Sequence, residues 1–371
     1  MPNLKSKTAA AGFDLITGGT GLLGSHLAEQ LVRQGTAVRA LVRPGSDTTF
    51  LRGLGVELFE GDLIDPAACA EAVDGARVVY HAAAKVGDWG TKAEFRVNTV
   101  EASETLAAAA LGARVQRFVQ ISSTSAYGHP IDWGVPIDET AALGQRIWIW
   151  DDYTWAKVEA ERRLWALVEA YQFPLTVIRP SWLYGERDRT TFPRLLQKLK
   201  SGGLILVGRG TNPISAIYAG QVAEAAILAA HHPAALGEAF NVTDQGFINQ
   251  SEFFNTLARL VGGPRVWLRL PYWLVYSGAF EFEAFARLTR AAQPPLITRY
   301  ATWLMGRSLS YSTAKARSVL GWVPREPYAI TLERTVRWFQ DQERGPARSP
   351  EPTTASGESL AEDSPKNADS S

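Results

Sequence analysis

Through the first two-thirds of the chain, short apolar runs alternate with longer helix-length ones. Phe13–Ile16, Ala37–Val42, Val56–Phe59, Ala76–Tyr80, Arg117–Ile121 and Leu175–Ile178 are four to six residues long and mostly apolar. That is the pattern of strands covered on both faces. Between them, Leu22–Gln34, Pro66–Val73, Ala93–Leu111 and Tyr153–Tyr171 have helical length and spacing. The alternation predicts an α/β fold, a Rossmann-like doubly wound parallel sheet with helices on both faces. From about Tyr184 the alternation fails and aromatics thicken, with Trp267, Tyr272, Trp273, Tyr276, Phe280, Phe282, Phe285, Tyr300 and Trp303 in one stretch. The expected division is a sheet domain over 12–183 and a smaller C-terminal lobe over 184–342, joined to the sheet by crossing segments. Residues 1–11 and the Pro-, Ser- and acid-rich stretch 343–371 bury too little to offset ordering entropy and are expected to be disordered.

Composition narrows the class. Lys plus Arg (38) equals Asp plus Glu (38), so no net field attracts nucleic acid or anionic lipid. One cysteine, Cys69, excludes an internal disulfide and fits a reducing compartment. The opening MPNLKSKTAA lacks the apolar centre of a signal peptide, and no uncharged run approaches the ~18 residues of a membrane span. A cytoplasmic protein is expected, with a homodimer left open.

The segment Leu15-Ile16-Thr17-Gly18-Gly19-Thr20-Gly21-Leu22-Leu23-Gly24 follows a strand and opens a helix, the context a dinucleotide fingerprint requires. Gly18 permits the tight turn, Gly21 lets backbone approach a pyrophosphate, and Gly24 lets helix and strand pack closely. The phosphates then meet the free N–H groups from Leu22 onward. The sheet domain is therefore expected to bind NAD(P). The second strand ends in Leu41-Val42-Arg43 with no acid; an acid there would repel a 2′-phosphate, whereas Arg43 can fork onto one, which favours NADP. The alternative is a solvated arginine. His81-Ala82-Ala83-Ala84 closes the fourth strand, and Ala82 is small enough for backbone to run beside a cofactor. For His81 itself a packed structural role is preferred.

Tyr153-Thr154-Trp155-Ala156-Lys157 sets Tyr and Lys one turn apart on one helix face. A free phenol, with a pKa near 10, is a poor base at neutral pH. A neighbouring ammonium and a nicotinamide cation favour phenolate and are expected to draw the pKa of Tyr153 down. Upstream, a strand ends in Ser122-Ser123-Thr124-Ser125-Ala126-Tyr127-Gly128, where a hydroxyl could hold a substrate oxygen. No clustered His/Cys spacing suggests a metal.

Glycine fingerprint, hydroxyl cluster and Tyr-x-x-x-Lys, in this order, resemble the extended short-chain dehydrogenase/reductase superfamily over about residues 12–342. Arg179-Pro180 and Tyr184-Gly185 look like that group's Arg-Pro…Tyr-Gly signature. The resemblance implies an NAD(P)-dependent oxidoreductase with Ser123, matched by its distance from Tyr127-Gly128, as catalytic serine beside Tyr153 and Lys157. Ser122 and Thr124 are near misses. It implies adenine contact by Asp62 and Leu63, and it makes Asn98 the helix asparagine of a water-borne proton relay to Lys157, with a helix-bending role as the alternative.

Leu270-Pro271-Tyr272-Trp273-Leu274, Tyr311 to Arg317, and Leu320-Gly321-Trp322-Val323-Pro324 are similar to the 3β-hydroxysteroid dehydrogenase branch, nearest to the sterol 4-carboxylate 3-dehydrogenases (decarboxylating). Ala83 to Gly90 also resembles the 2-alkyl-3-oxoalkanoate reductases. Both act at an oxygen-bearing carbon β to a carboxylate on a large apolar molecule, so Lys85, Trp89, Trp150 and Trp182 are the expected substrate contacts. Aromatics that merely fill a core are the alternative for each. Nucleotide-sugar epimerases or dehydratases share the fold, and a non-catalytic cofactor-sensing module could. Leu270–Phe280 carries no charge but is half a span long; with Glu281, Glu283 and Arg287 returning the helix to water, residues 270–285 form a candidate peripheral membrane contact, expected to be weak and hydrophobic given the balanced charge.

Overall fold

The computed structural model describes residues 12–130, 134–244, 246, 248–291 and 293–344. In chain order its strands are β1 (Phe13–Thr17), β2 (Val38–Val42), β3 (Glu57–Glu60), β4 (Ala76–His81), β5 (Arg117–Ile121), β6 (Leu175–Pro180), β7 (Trp182–Tyr184), β8 (Leu206–Val207), β9 (Ala216–Tyr218), β10 (Glu238–Val242) and β11 (Arg269–Leu270). Seven form one parallel sheet in the order β10-β6-β5-β4-β1-β2-β3. All six strands read from the sequence are present; β10 was not anticipated.

Period-two alternation divides the strand residues between two apolar layers. Ile16, Tyr80, Val119 and Ile178 face Leu23 and Leu27 of helix Leu22–Arg33 and Val222 and Ala226 of helix Ala219–His231. Leu15, Val79, Phe118 and Val177 face Ala72, Leu106 and Leu164 of the helices Pro66–Val73, Ala102–Gly112 and Asp152–Tyr171. The sheet is doubly wound, and its strand order reverses between β1 and β4, where open α/β sheets bind ligands at their carboxyl ends.

Beyond residue 183 the chain builds a lobe but also returns to the sheet. Helix Ala219–His231 covers one face, β10 pairs with β6, and Trp322 is buried in the same layer. The lobe proper has its own core of Phe192, Leu196, Phe253, Leu257, Leu332 and Val336. Its outer corner is a pair of helices, Tyr272–Leu288 and Arg299–Gly306, tied by Arg299, whose Nε donates to Glu283 Oε2 (2.7 Å) and whose backbone N–H donates to Glu283 Oε1 (2.6 Å). Glu283 is buried there, not returned to water as its charge suggested; Glu281 and Arg287 are exposed. The last helix runs Tyr328–Arg344, through the first two residues of the expected tail. The remainder of that tail, and residues 1–11, lie outside the described residues.

The single helix expected over Ala93–Leu111 is interrupted. Lys92–Phe95 and Ala102–Gly112 are joined by a wide turn of π geometry at Arg96–Glu101. Wide turns of this kind arise where a side chain enters the helical hydrogen-bond ladder. Here Asn98 Nδ2 donates to Glu94 O at 2.9 Å, and Ser103 Oγ donates to Thr99 O at 2.6 Å.

Candidate active site

At the carboxyl end of β1 the chain turns at Gly18, with φ +70°, and Gly21 N–H closes the turn on Gly18 O at 2.9 Å. A Cβ on Gly18 would lie 2.7 Å from Ala83 N, and one on Gly24 would lie 2.1 Å from Gly18 O. Only glycine fits either position. The helix that follows, Leu22–Arg33, has no side-chain cap and no acid in its first turn, so its N–H groups and positive dipole end are free for an anion. This close-packed, uncapped cradle fits a dinucleotide pyrophosphate.

His81 secures the neighbouring strand end. Its Nδ1 meets Thr17 Oγ1 at 2.7 Å and its Nε2 meets Ser103 Oγ at 3.0 Å. Because Ser103 donates onward to Thr99 O, the imidazole is assigned as donating from Nε2 and accepting at Nδ1. Burial, aided by the Lys157 charge, pushes its pKa down to about 3. It is a neutral strut, as its setting in the sequence suggested. The same Thr17 hydroxyl accepts from Ala83 N–H, and Thr17 O accepts from Ala82 N–H, both at 3.3 Å, which fixes Ala82 beside the glycine turn. Arg43 is exposed at the end of β2, next to β1 in the sheet. Asp62 is exposed after β3, its Oδ1 accepting from Ile64 N–H at 3.2 Å, while Leu63 is partly buried against the apolar layer.

Tyr153 and Lys157 occupy the first turns of helix Asp152–Tyr171, which Asp151 caps by accepting from Thr154 N–H at 2.9 Å. Ser123 starts the short turn Thr124–Tyr127 after β5. The Tyr153 phenol interacts with the hydroxyls of Ser123 and Ser125, which lower its pKa; burial and the carboxylates of Asp151 and Asp88 outweigh them and raise it. The expected depression is therefore absent from the protein alone. Lys157 Nζ donates to Ile121 O at 3.2 Å. Burial lowers its pKa to about 8 against the opposing charge of Glu161.

The near miss Ser122 is committed elsewhere, with its hydroxyl donating to Glu161 Oε2 at 2.6 Å. Glu161 also accepts from Trp165 Nε1 and from the buried Arg179 guanidinium. Arg179 reaches on to Tyr127 Oη (2.9 Å), which donates to Asn241 Oδ1 (2.7 Å) on β10. Asn98 takes the helix-bending role that was the alternative reading. It is exposed, and its amide serves the helix bend described above.

The other wall is aromatic. Tyr153 meets Tyr300 edge-on at 5.7 Å between centroids, Tyr300 lies 6.2 Å from Trp303, and Trp303 lies 6.0 Å from Trp148. Trp148 continues the series to Trp150 (5.0 Å) and Tyr276 (6.3 Å). Behind it, His129 stacks on Trp148 at 4.1 Å and sets Nε2 2.9 Å from Asp151 Oδ2. Of the expected substrate contacts, Trp150 is in this wall. Trp89 donates from its Nε1 to Ala291 O at 3.0 Å, and the Arg287 guanidinium lies over its ring. Lys85 is half-buried, 3.7 Å from Glu94 Oε2. Trp182 instead packs on Phe253 at the lobe core, 5.6 Å between rings.

Sequence reading missed Asp88, Thr298 and Tyr300. Asp88 accepts from the Thr298 hydroxyl, and burial, together with the charges of Asp151 and Glu283, raises its pKa despite that bond. Tyr300 lies 147 residues from Tyr153 in the chain, and no local pattern announces their contact.

A 2-alkyl-3-oxoalkanoate reductase of Stenotrophomonas maltophilia (strain K279a) is 31% identical over 330 residues, 87% of this chain and 97% of the relative. The sterol-4-alpha-carboxylate 3-dehydrogenase, decarboxylating, of Mus musculus is 29% identical over 342 residues, 87% of this chain and 90% of the relative. The crystal structure of gox2253 superposes with a TM-score of 0.75 at 29% identity, covering 90% of this chain and 99% of that one. The profile described as "NAD dependent epimerase/dehydratase family" matches residues 15–243. With cradle, sheet order and Tyr–Lys helix in agreement, the chain belongs to the NAD dependent epimerase/dehydratase family and is an NAD-dependent enzyme of the short-chain dehydrogenase/reductase type.

Proposed function

We propose that the protein interconverts a secondary alcohol and a ketone on a large apolar molecule, a sterol or a long-alkyl acid oxygenated at the carbon β to its carboxylate. The observation that carries this reading is the unbroken aromatic series from Tyr153 through Tyr300, Trp303 and Trp148 to Trp150 and Tyr276. Such a wall gives an apolar ring system or chain large contact area and offers little to a sugar diphosphate. The cofactor sites are Gly18, Gly21, Leu22, Gly24 and Ala82, with Asp62 and Leu63 on the adenine side. When bound, the nicotinamide supplies or accepts the hydride.

The chain's own residues handle the oxygen and the proton. Ser123 holds the substrate oxygen, and Tyr153 takes the proton from a hydroxyl or returns it to a ketone. The Lys157 ammonium stabilises the phenolate, and with a pKa of about 8 it can pass the proton on toward solvent at physiological pH. In the narrower reading the substrate is a 3β-hydroxy-4-carboxysterol. Its oxidation leaves a β-keto acid whose bond to the carboxylate breaks, releasing carbon dioxide; the resulting enolate, held by Ser123 and Lys157, is protonated by Tyr153. A second reading, reduction of a 2-alkyl-3-oxo acid, is favoured by the 31% identity to such a reductase.

Incubation with panels of 4-carboxysterols, 2-alkyl-3-oxo acids and UDP-sugars, under NAD(H) and NADP(H), tests this at the nicotinamide absorbance band. Carbon dioxide release separates the two lipid readings. Turnover confined to UDP-sugars overturns both. NADP is the proposed preference, through Arg43: Arg43→Glu should weaken NADPH binding at least about tenfold more than NADH binding, the scale of a charged hydrogen bond. Equal losses would show that Arg43 does not read the 2′ position.

A further inference from the structure

The helix Tyr272–Leu288 carries its large apolar residues outward. Its buried positions are Val275, Ala279, Glu283 and Ala286, while Trp273, Leu274, Phe280, Phe282, Phe285 and Leu288 are exposed. At 100° per residue Trp273, Leu274, Phe280, Phe285 and Leu288 occupy the arc opposite the buried stripe and Phe282 flanks that stripe, the reverse of an ordinary surface helix. Trp273, Phe285 and Leu288 are 68%, 66% and 82% exposed, and Trp267, Leu268 and Leu296, on the segments leading into and out of the helix, are exposed too. A surface of this kind marks an interaction site rather than scattered solvent contact.

We propose that this face docks in the plane of a lipid bilayer carrying anionic headgroups. The helix is about 25 Å long at 1.5 Å per residue, short of the ~30 Å hydrocarbon core, and no helix among the described residues is long and apolar enough to cross a membrane. The balanced charge of the whole chain conceals a local excess. From Arg265 to Arg307 there are six arginines against Glu281 and Glu283, and Glu283 is neutralised by Arg299. Arg265, Arg269, Arg287, Arg290 and Arg307 remain exposed. Two of them lie over aromatic rings, Arg287 5.4 Å from the Trp89 centroid and Arg307 5.2 Å from that of Tyr272. Apolar residues between arginines is the composition of an interfacial helix attracted to anionic lipid. The face also leads inward: Tyr272 stacks on Tyr276 at 5.7 Å, and Tyr276 touches Trp148 of the site wall. Choosing a bilayer over a protein partner rests on the proposed apolar substrate, which a membrane would both store and deliver.

Flotation of the full chain with vesicles tests the proposal. Binding should be clear with phosphatidylserine and phosphatidylcholine in equal parts, and weaker with phosphatidylcholine alone. Trp273→Asp with Phe285→Asp should abolish it, while melting temperature and NADH fluorescence stay at the wild-type values. Arg287→Gln and Arg290→Gln should each weaken binding to the anionic vesicles about fivefold. Absence of flotation with either vesicle overturns the proposal, as does flotation unchanged by the paired aspartates. A concentration-dependent dimer that those aspartates dissociate, with no vesicle binding, would assign the face to a second copy of the chain instead. Flotation reads docking and the substrate panels read turnover, so either claim can fail while the other stands.

Discussion

Beneath Lys157, Glu161 accepts from Ser122, Trp165 and Arg179, and Arg179 continues through Tyr127 to Asn241. Across the cleft, Tyr300, Trp303 and Trp148 meet through ring contacts, and the helix behind them ends in exposed phenylalanines. The floor is directional: each bond fixes an angle and a distance, and a buried network that is fully satisfied admits one arrangement. The wall is not, because dispersion and apolar burial tolerate displacement of the partner. A proton-transfer pair must be held within hydrogen-bond reach of its target, whereas an apolar ring system or chain needs area. The two sides therefore answer different demands, and substitutions should separate them.

The largest effect is expected at the floor. Glu161→Gln leaves the Arg179 guanidinium buried without its counter-ion and should cost about 3–5 kcal/mol of stability by denaturant unfolding. A loss below about 1 kcal/mol would mean that water reaches the pair and the floor is not closed. Next, Tyr153→Phe should lower turnover about 10²-fold or more with folding and NADH binding retained; near-normal turnover would sink the proposed acid–base role.

At the wall, Trp148→Ala should raise KM about tenfold, the worth of a lost apolar contact, with kcat little changed. Equal loss in kcat would place Trp148 among the groups that orient the reacting centre and erase the distinction drawn here. The smallest effect is a slope. From about pH 8, where native Lys157 releases its proton, to about 10.5, where the unfolded chain does, the unfolded state binds more protons, so this group makes stability rise with pH. Below pH 8 both states are protonated and the full burial penalty applies. Lys157→Met should remove that slope, as read from urea midpoints across the range; an unchanged slope would assign it to another group.

Much of the floor was readable beforehand because its signals are local. The glycine spacing, the i to i+4 pair and the hydroxyl cluster each lie within a dozen residues; in the structure the Tyr153 phenol meets the Ser123 and Ser125 hydroxyls, and Lys157 bonds to Ile121 O at the end of β5. Asn98 carried two readings, a relay member by resemblance or a helix-bending residue, and its amide bonds Glu94 O within the bend. Trp182 and Trp150 look alike in the chain; one packs on Phe253 at the lobe core and the other on Trp148 in the aromatic series.

By itself the sequence determined the doubly wound sheet, the glycine turn and uncapped helix start at Gly18–Gly24 and the Tyr153–Lys157 pair on one helix, because strand period, turn φ and helix pitch act between near neighbours. Tertiary structure decided what required distant segments to meet. It sent Glu161 rather than a solvent ion to Arg179, and turned Glu283 inward to Arg299 while Phe282 and Phe285 turned outward. It also set Tyr300 against Tyr153 and Thr298 against Asp88. Burial and pairing energies depend on every surrounding element at once, and no window along the chain contains them.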